Sequence, residues 1–285
     1  MNGGLPKPRT MPRKGGILTL VAALAVGAGL PATAGAADGV TDGVEAYRAG
    51  NYGRALQALQ APADAGDALA QYHLGLMYER GRGVLADETR ARDWYRRAAE
   101  QGNARAQHNL ATLLLDGRGG PVDRPAALDW LTRAAMLGSG KSAHQLGLVY
   151  YRGDGVERDF VKAREWWTRA FEAGEPDAGY NLGILYRRGL GVQRDVGLAA
   201  QWWERAALAG SPLAQHGLGT AYLEGQGVPR DPVAAYAWLS LAAQAGVAAA
   251  AQSVALLEQQ LSQEMRERAT ARARELAAHR PPSAP

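Results

Sequence analysis

The chain has 285 residues, 47% of them hydrophobic, enough for a buried core in one or two domains. It has no cysteine, so disulfides and thiolate metal sites are excluded. The net charge of +4 comes from the N-terminal segment, where Lys7, Arg9, Arg13 and Lys14 precede the first acid; the rest carries 28 charges of each sign, which removes the main electrostatic argument for a nucleic-acid partner.

In chain order the first element reads as a leader over 1–36. A basic region is followed by fourteen apolar residues, Ile17 to Leu30, then by Pro31 and the small-x-small string Ala34-Gly35-Ala36. Such a run is too short for the ~30 Å hydrocarbon core of a bilayer. The expectation is cleavage after Ala36 and a mature chain that is periplasmic or secreted and free of the membrane. No cysteine follows the apolar run, which excludes a lipid anchor. Either Met1 or Met11 could be the start, and Met11 gives a leader of more usual length.

Residues 37–66, with Tyr47, Gly50, Tyr52, Ala55 and Leu56, read as a helix hairpin with a short loop. From 67 to 246 the sequence repeats every 36 residues without an insertion. Trp94, Trp130, Trp166, Trp202 and Trp238 form one column, Leu74, Leu110, Leu146, Leu182 and Leu218 another, and Asp87, Asp123, Asp159, Asp195 and Asp231 a third. Glycines recur in step at 81, 117, 153, 189 and 225, and again two residues later. A period of this length means stacked supersecondary units, none of which can bury its apolar face alone.

Each unit reads as two helices. In the first unit one spans about Ala68 to Arg80, with Ala70, Leu74 and Met77-Tyr78 on one face. Gly81 ends it, because glycine takes the left-handed conformation that helix C-termini favour. Asp87 is placed to cap the second helix, as are its four column mates. That helix presents Ala91, Trp94 and Ala98 on one face, which puts the Trp column in the repeat core. Unit two departs, with Ala111, Leu114 and an irregular Gly119-Gly120-Pro121 loop, where a local difference is expected. Residues 247–279 read as one or two closing helices, with Ser262 a cap and Arg266, Arg268, Arg272 and Arg274 facing water. The Pro-rich end, 280–285, reads as a disordered tail.

The string Leu146-Gly147, Tyr150, Gly153, Gly155-Val156, Asp159, Lys162-Ala163, Trp166, Ala170 and Gly174 resembles the Sel1-like repeat family, a relative of the tetratricopeptide repeat. The hairpin at 37–66 resembles a tetratricopeptide-type starting unit. The resemblance implies an all-α fold, an α/α superhelical solenoid of stacked helix hairpins. For such chains of bacterial envelopes it implies adaptor work in assembly, regulation or host contact. A minority of cysteine-rich family members are β-lactam-binding or hydrolysing enzymes, an alternative weakened here because every cysteine is missing. A purely structural envelope role is a third possibility.

Two motifs invite other chemistry. Ala135 to Ser142 matches a relaxed phosphate-loop pattern, but a helix precedes it where a strand is needed, and Gly138 is a turn glycine of the 36-residue lattice. His108, His144 and His216 share a column, yet equivalent helices stand about 8–10 Å apart, too far for one ion to gather all three. Five equivalent aspartates are not an active site, because catalysis needs unlike groups converging on one point. The reading is therefore non-enzymatic: no cofactor, metal or nucleotide, and a protein or peptide partner. By analogy with tetratricopeptide repeats, the first helices line a concave groove. Tyr72, His108, His144, Tyr180 and His216 face it, with Tyr151 and Arg187 two turns on. These columns vary between units while the packing columns do not, as a non-repetitive ligand requires.

Overall fold

The computed structural model describes residues 34–278, which form fourteen α-helices; no strand occurs among them. An opening hairpin pairs α1 (Ala34–Arg48) with α2 (Tyr52–Asp64). Five hairpins follow: α3 (Ala68–Arg80) with α4 (Glu88–Glu100), α5 (Ala104–Asp116) with α6 (Arg124–Met136), α7 (Gly140–Arg152) with α8 (Phe160–Glu172), α9 (Pro176–Arg188) with α10 (Val196–Leu208), and α11 (Pro212–Glu224) with α12 (Pro232–Gln244). α13 (Ala248–Gln260) and α14 (Gln263–Ala278) close the stack. The leader expected over 1–36 lies outside the described residues, apart from 34–36 at the start of α1, and the tail 280–285 lies outside them entirely. Among the described residues no helix is long and apolar enough to cross a membrane.

Each element ends for a local reason. The carboxylates of Asp87, Asp123, Asp159, Asp195 and Asp231 cap the five second helices by accepting backbone N–H bonds in their first turns. The first helices stop at glycines with φ between 64° and 79°. The second glycine of each loop lies against the preceding hairpin. A Cβ on Gly119 would overlap the Glu88 carbonyl, and one on Gly227 the Val196 carbonyl. Positive φ and close approach thus both demand glycine there. The Gly119-Gly120-Pro121 loop does differ: Gly120 has φ 156° and packs on Arg92, which donates to the Pro121 carbonyl at 3.2 Å.

The core holds a correction to the sequence reading. Trp94, Trp130, Trp166 and Trp202 are only half-buried, each with the arginine three residues on stacked over its ring at 4.3–4.8 Å. Full burial belongs to the following residue: Tyr95, Leu131, Trp167, Trp203 and Leu239. Tyr95, Trp167, Trp203 and Leu239 each point into the first helix of their own hairpin. Gly75, Gly147 and Gly183 lie so close to Tyr95, Trp167 and Trp203 that a Cβ would overlap the ring. Repeat two carries Ala111 where the others have glycine, and its buried residue is the smaller Leu131. Trp238 differs from its column mates. Its neighbour three residues on is Leu241 instead of arginine, and Trp238 is buried in a cluster that includes Leu241 and Leu276 of α14.

Hairpins are joined by side chains as well as by apolar packing. Gln71, Gln107 and Gln215 are buried and donate to carbonyls at the end of the preceding second helix, at 3.0, 3.0 and 3.3 Å. Consecutive first helices touch one another directly, α1 on α3, α3 on α5 and α9 on α11, which turns them to the inner side of the curve. α14 folds back across α12, and Arg272 donates to Asp231 at 3.3 Å. Arg266, Arg268 and Arg274 remain exposed, so Arg272 alone leaves the water-facing set read from the sequence. Ser262 accepts from the Met265 backbone at 3.3 Å, as a cap does.

Candidate binding groove

The first helices present their second, fifth, ninth and twelfth residues along the inner face. The fifth-residue column is Tyr72, His108, His144, Tyr180 and His216, all partly exposed. The structure lays these side chains in a row and gives several of them bonds to the next hairpin. His108 Nδ1 shares a hydrogen bond with Ser142 Oγ at 3.0 Å, and His144 Nε2 one with Asn181 Nδ2 at 2.9 Å. The Asp177 carboxylate accepts from Ser211 Oγ. The groove floor is thus stitched from helix to helix by its own polar tips. Tyr151 packs edge-on to Phe160 and accepts from Arg188 at 3.3 Å, while Arg187 lies over Trp203 at 5.5 Å. Burial holds His108, His144 and His216 below the usual imidazole range, with Lys141 reinforcing the shift at His108, so all three are neutral at pH 7.

Among the described residues no three His, Asp or Glu side chains gather around one point. The phosphate-loop match sits at a helix-to-helix turn: α6 precedes it, Gly138 has φ 89°, and the Ser139 hydroxyl accepts from the Ser142 backbone as a cap. Its lysine faces the groove. A cleft of about 620 Å³ opens between α3, α5 and α7, lined by Tyr72, Leu76, Arg80, Arg105, His108 and Lys141 among others. Of the residues singled out from sequence, Tyr72 and His108 are the two that meet in this cleft. Sequence reasoning missed Arg80 and Arg105 and met Lys141 only inside the phosphate-loop match from Ala135 to Ser142. The available signal was Arg105 and Lys141 at the same register position in consecutive repeats.

The sequence model of the Sel1 repeat family matches five consecutive segments, 68–103, 104–139, 140–175, 176–211 and 212–247. The chain belongs to the Sel1 repeat family. Each matched segment is one first helix with its second helix and the turn beyond. Among solved structures the chain is similar to a Sel1 repeat protein from Oxalobacter formigenes, with 30% identity, a TM-score of 0.74, and coverage of 83% of this chain and 99% of that one. It is also similar to a protective antigen of uropathogenic Escherichia coli that displays an SLR fold, with 32% identity and a TM-score of 0.75. That match covers 85% of this chain, which spans about half, 53%, of the antigen's length. No curated protein matches the chain. Sel1 repeat proteins generally act as scaffolds for protein–protein interaction, and this chain shares their stacked-hairpin fold.

Proposed function

We propose that this Sel1 repeat protein is a non-catalytic adaptor of the bacterial envelope. It holds an extended segment of a protein partner along the inner face of the superhelix. The observation that carries this reading is the contrast between columns. The Leu74, Gly81, Asp87 and Trp94 columns are fixed through five repeats, whereas the fifth and twelfth residues of the first helices change: Tyr, His, His, Tyr, His in one and Glu79, Leu115, Tyr151, Arg187, Leu223 in the other. A fixed frame with a varied inner surface suits one particular ligand laid across several repeats. Tyrosine, histidine and arginine offer apolar bodies with polar ends, the mixture enriched at interface centres. The basic segment, apolar run and Ala34-Gly35-Ala36 support export, with the mature chain starting near Ala37 in the periplasm or outside the cell.

His108, His144, Tyr151, Tyr180 and Arg187 of the central repeats are the proposed contacts, flanked by Tyr72 and His216 at the groove ends. Tyr180→Ala and Arg187→Ala should each weaken partner binding by more than about 1 kcal/mol without loss of fold. Arg169→Ala on the outer helix α8 should not. Titration calorimetry of the three variants against the partner, with circular dichroism to check folding, decides the matter. Damage confined to Arg169→Ala would place the partner on the outer face instead.

A further inference from the structure

The cleft between α3, α5 and α7 differs in charge from the rest of a nearly neutral body. Arg80, Arg105 and Lys141 line it, and among the described residues none of the three has an ion pair, a hydrogen bond or a ring partner. Cations elsewhere are more often engaged. Arg118 bonds Glu79 and Glu88 at 3.2 and 2.7 Å, and Arg97, Arg133, Arg169 and Arg205 stack on indoles. That pairing also ties up Glu79, which further accepts from Tyr95 at 2.7 Å, so it does not neutralise the cleft. Glu175 is the single acid in the lining, and burial raises its pKa against the opposing pull of Lys141. Leu76 and Leu137 give the same cleft apolar walls, and Leu137 is 58% exposed.

We infer that this cleft is an acidic-peptide subsite of the groove, in which Arg80, Arg105 and Lys141 take the carboxylates of an extended segment while Leu76 and Leu137 receive its apolar side chains. The inference rests on the groove reading above and narrows it to a partner of stated chemistry. The second-residue column of the first helices runs Leu69, Arg105, Lys141, Asp177, Leu213, so positive charge is confined to the second and third repeats, with apolar residues at both ends. Arginine forks and lysine amines both make charge-assisted bonds to carboxylates. Three helices spaced about 8–10 Å apart span about 16–20 Å, which about five or six extended residues cover at ~3.3 Å each. A polynucleotide fits less well. Base stacking needs an open aromatic face, and Tyr72, the one tyrosine in the lining, packs its ring against His73 and Tyr95 at 5.2 and 6.0 Å. Beyond the leader the equal numbers of basic and acidic residues also give a polyanion no long-range attraction.

The test is fluorescence anisotropy of the purified chain with three labelled probes: an eight-residue peptide alternating Glu and Leu, the same peptide with Gln for Glu, and an oligothymidylate of equal charge. The acidic peptide should bind at least about tenfold more tightly than the Gln peptide, more weakly as salt rises, and about tenfold more weakly to the Arg105→Gln/Lys141→Gln double variant. Both side chains are exposed, so that variant should keep the wild-type unfolding midpoint. Arg169→Gln should leave binding unchanged. Equal binding of both peptides would overturn the charge assignment and leave the groove standing. Loss of binding in Arg169→Gln but not in the double variant would overturn the groove itself. A tighter oligothymidylate would overturn the choice of a peptide, and no measurable binding of the acidic peptide would overturn the subsite.

Discussion

Trp167 and Trp166 are neighbours with different work. Trp167 is 1% exposed, lies on the bare backbone of Gly147 and donates from Nε1 to the His144 carbonyl at 3.2 Å. Trp166 is half-buried under Arg169. Trp167→Ala should therefore cost about 3–5 kcal/mol, and Trp166→Ala about 1–2 kcal/mol, in urea midpoints. An order reversed between the two would contradict the assignment of the core. Gly147→Ala should destabilise by overlap with the indole, and Trp167→Leu in the same chain should relieve part of that cost, since a leucine side chain is smaller and can shift where the rigid indole cannot. The sequence points to the wrong member of the pair for a physical reason. The outer tryptophan is constant because it packs the same way, under the same arginine, in four repeats. The buried position varies as Tyr, Leu, Trp, Trp, Leu because several large apolar side chains can fill the same place over the facing helix.

His73 is a second case at this scale. It is 7% exposed, its Nδ1 has no hydrogen-bond partner in the structure, and Tyr47 and Tyr72 pack edge-on to its ring at 5.2 Å. Burial, aided by the nearby Arg48 and Arg105, lowers its pKa to about 4 from 6.5. The unfolded chain thus takes up a proton that the folded chain refuses. The stability is fully present above about pH 6.5 and is lost as pH falls toward about 4. The loss should be about 1–2 kcal/mol, less than the full shift because some solvent reaches the ring. Stability measured between pH 7 and pH 4.5 should fall less in His73→Leu than in the wild type. Equal slopes would remove His73 as the cause.

At the scale of elements, helix limits were the most legible feature. Asp before each second helix and Gly after each first helix act through contacts with the adjacent backbone, so a single sequence carries the whole signal. Asp231 adds a test of its own, because it accepts from the Val233 and Ala234 backbones and also from Arg272 of α14. Asp231→Asn keeps a good cap and loses a surface ion pair, for a few tenths of a kcal/mol. Asp231→Ala loses both, for about 1 kcal/mol. Thermal midpoints of the two variants separate the contributions, and equal losses would mean that the ion pair, not the cap, dominates. The docking of α14 on α12 was less legible. Its trace is the exchange of arginine for Leu241 beside Trp238, a change that makes sense only once Leu276 is seen in the same cluster.

At the scale of the molecule, the period of 36 residues gives the stack, and the stack decides which face is inward. The groove columns could be listed from sequence. Their use of polar tips to bridge hairpins, as in His108 with Ser142 and His144 with Asn181, could not, because those partners stand 34 and 37 residues apart. The same holds for the cationic cleft, whose arginines and lysine come from three different hairpins. Removing α14 from Gln263 onward should bare the α12 surface around Trp238 and lower stability mainly in the last repeat, since each hairpin touches only its neighbours. Hydrogen exchange would show protection lost in α11 to α13 and kept in α3 to α6. The central claim, that a protein partner lies along the inner face, is met most directly by photo-crosslinking in cells. A benzophenone amino acid is placed at Leu213, which is 42% exposed on the inner side, or at Glu165, which is exposed on the outer helix α8. The account predicts one discrete crosslinked protein from position 213 and none from 165; a crosslink from 165 alone would contradict it.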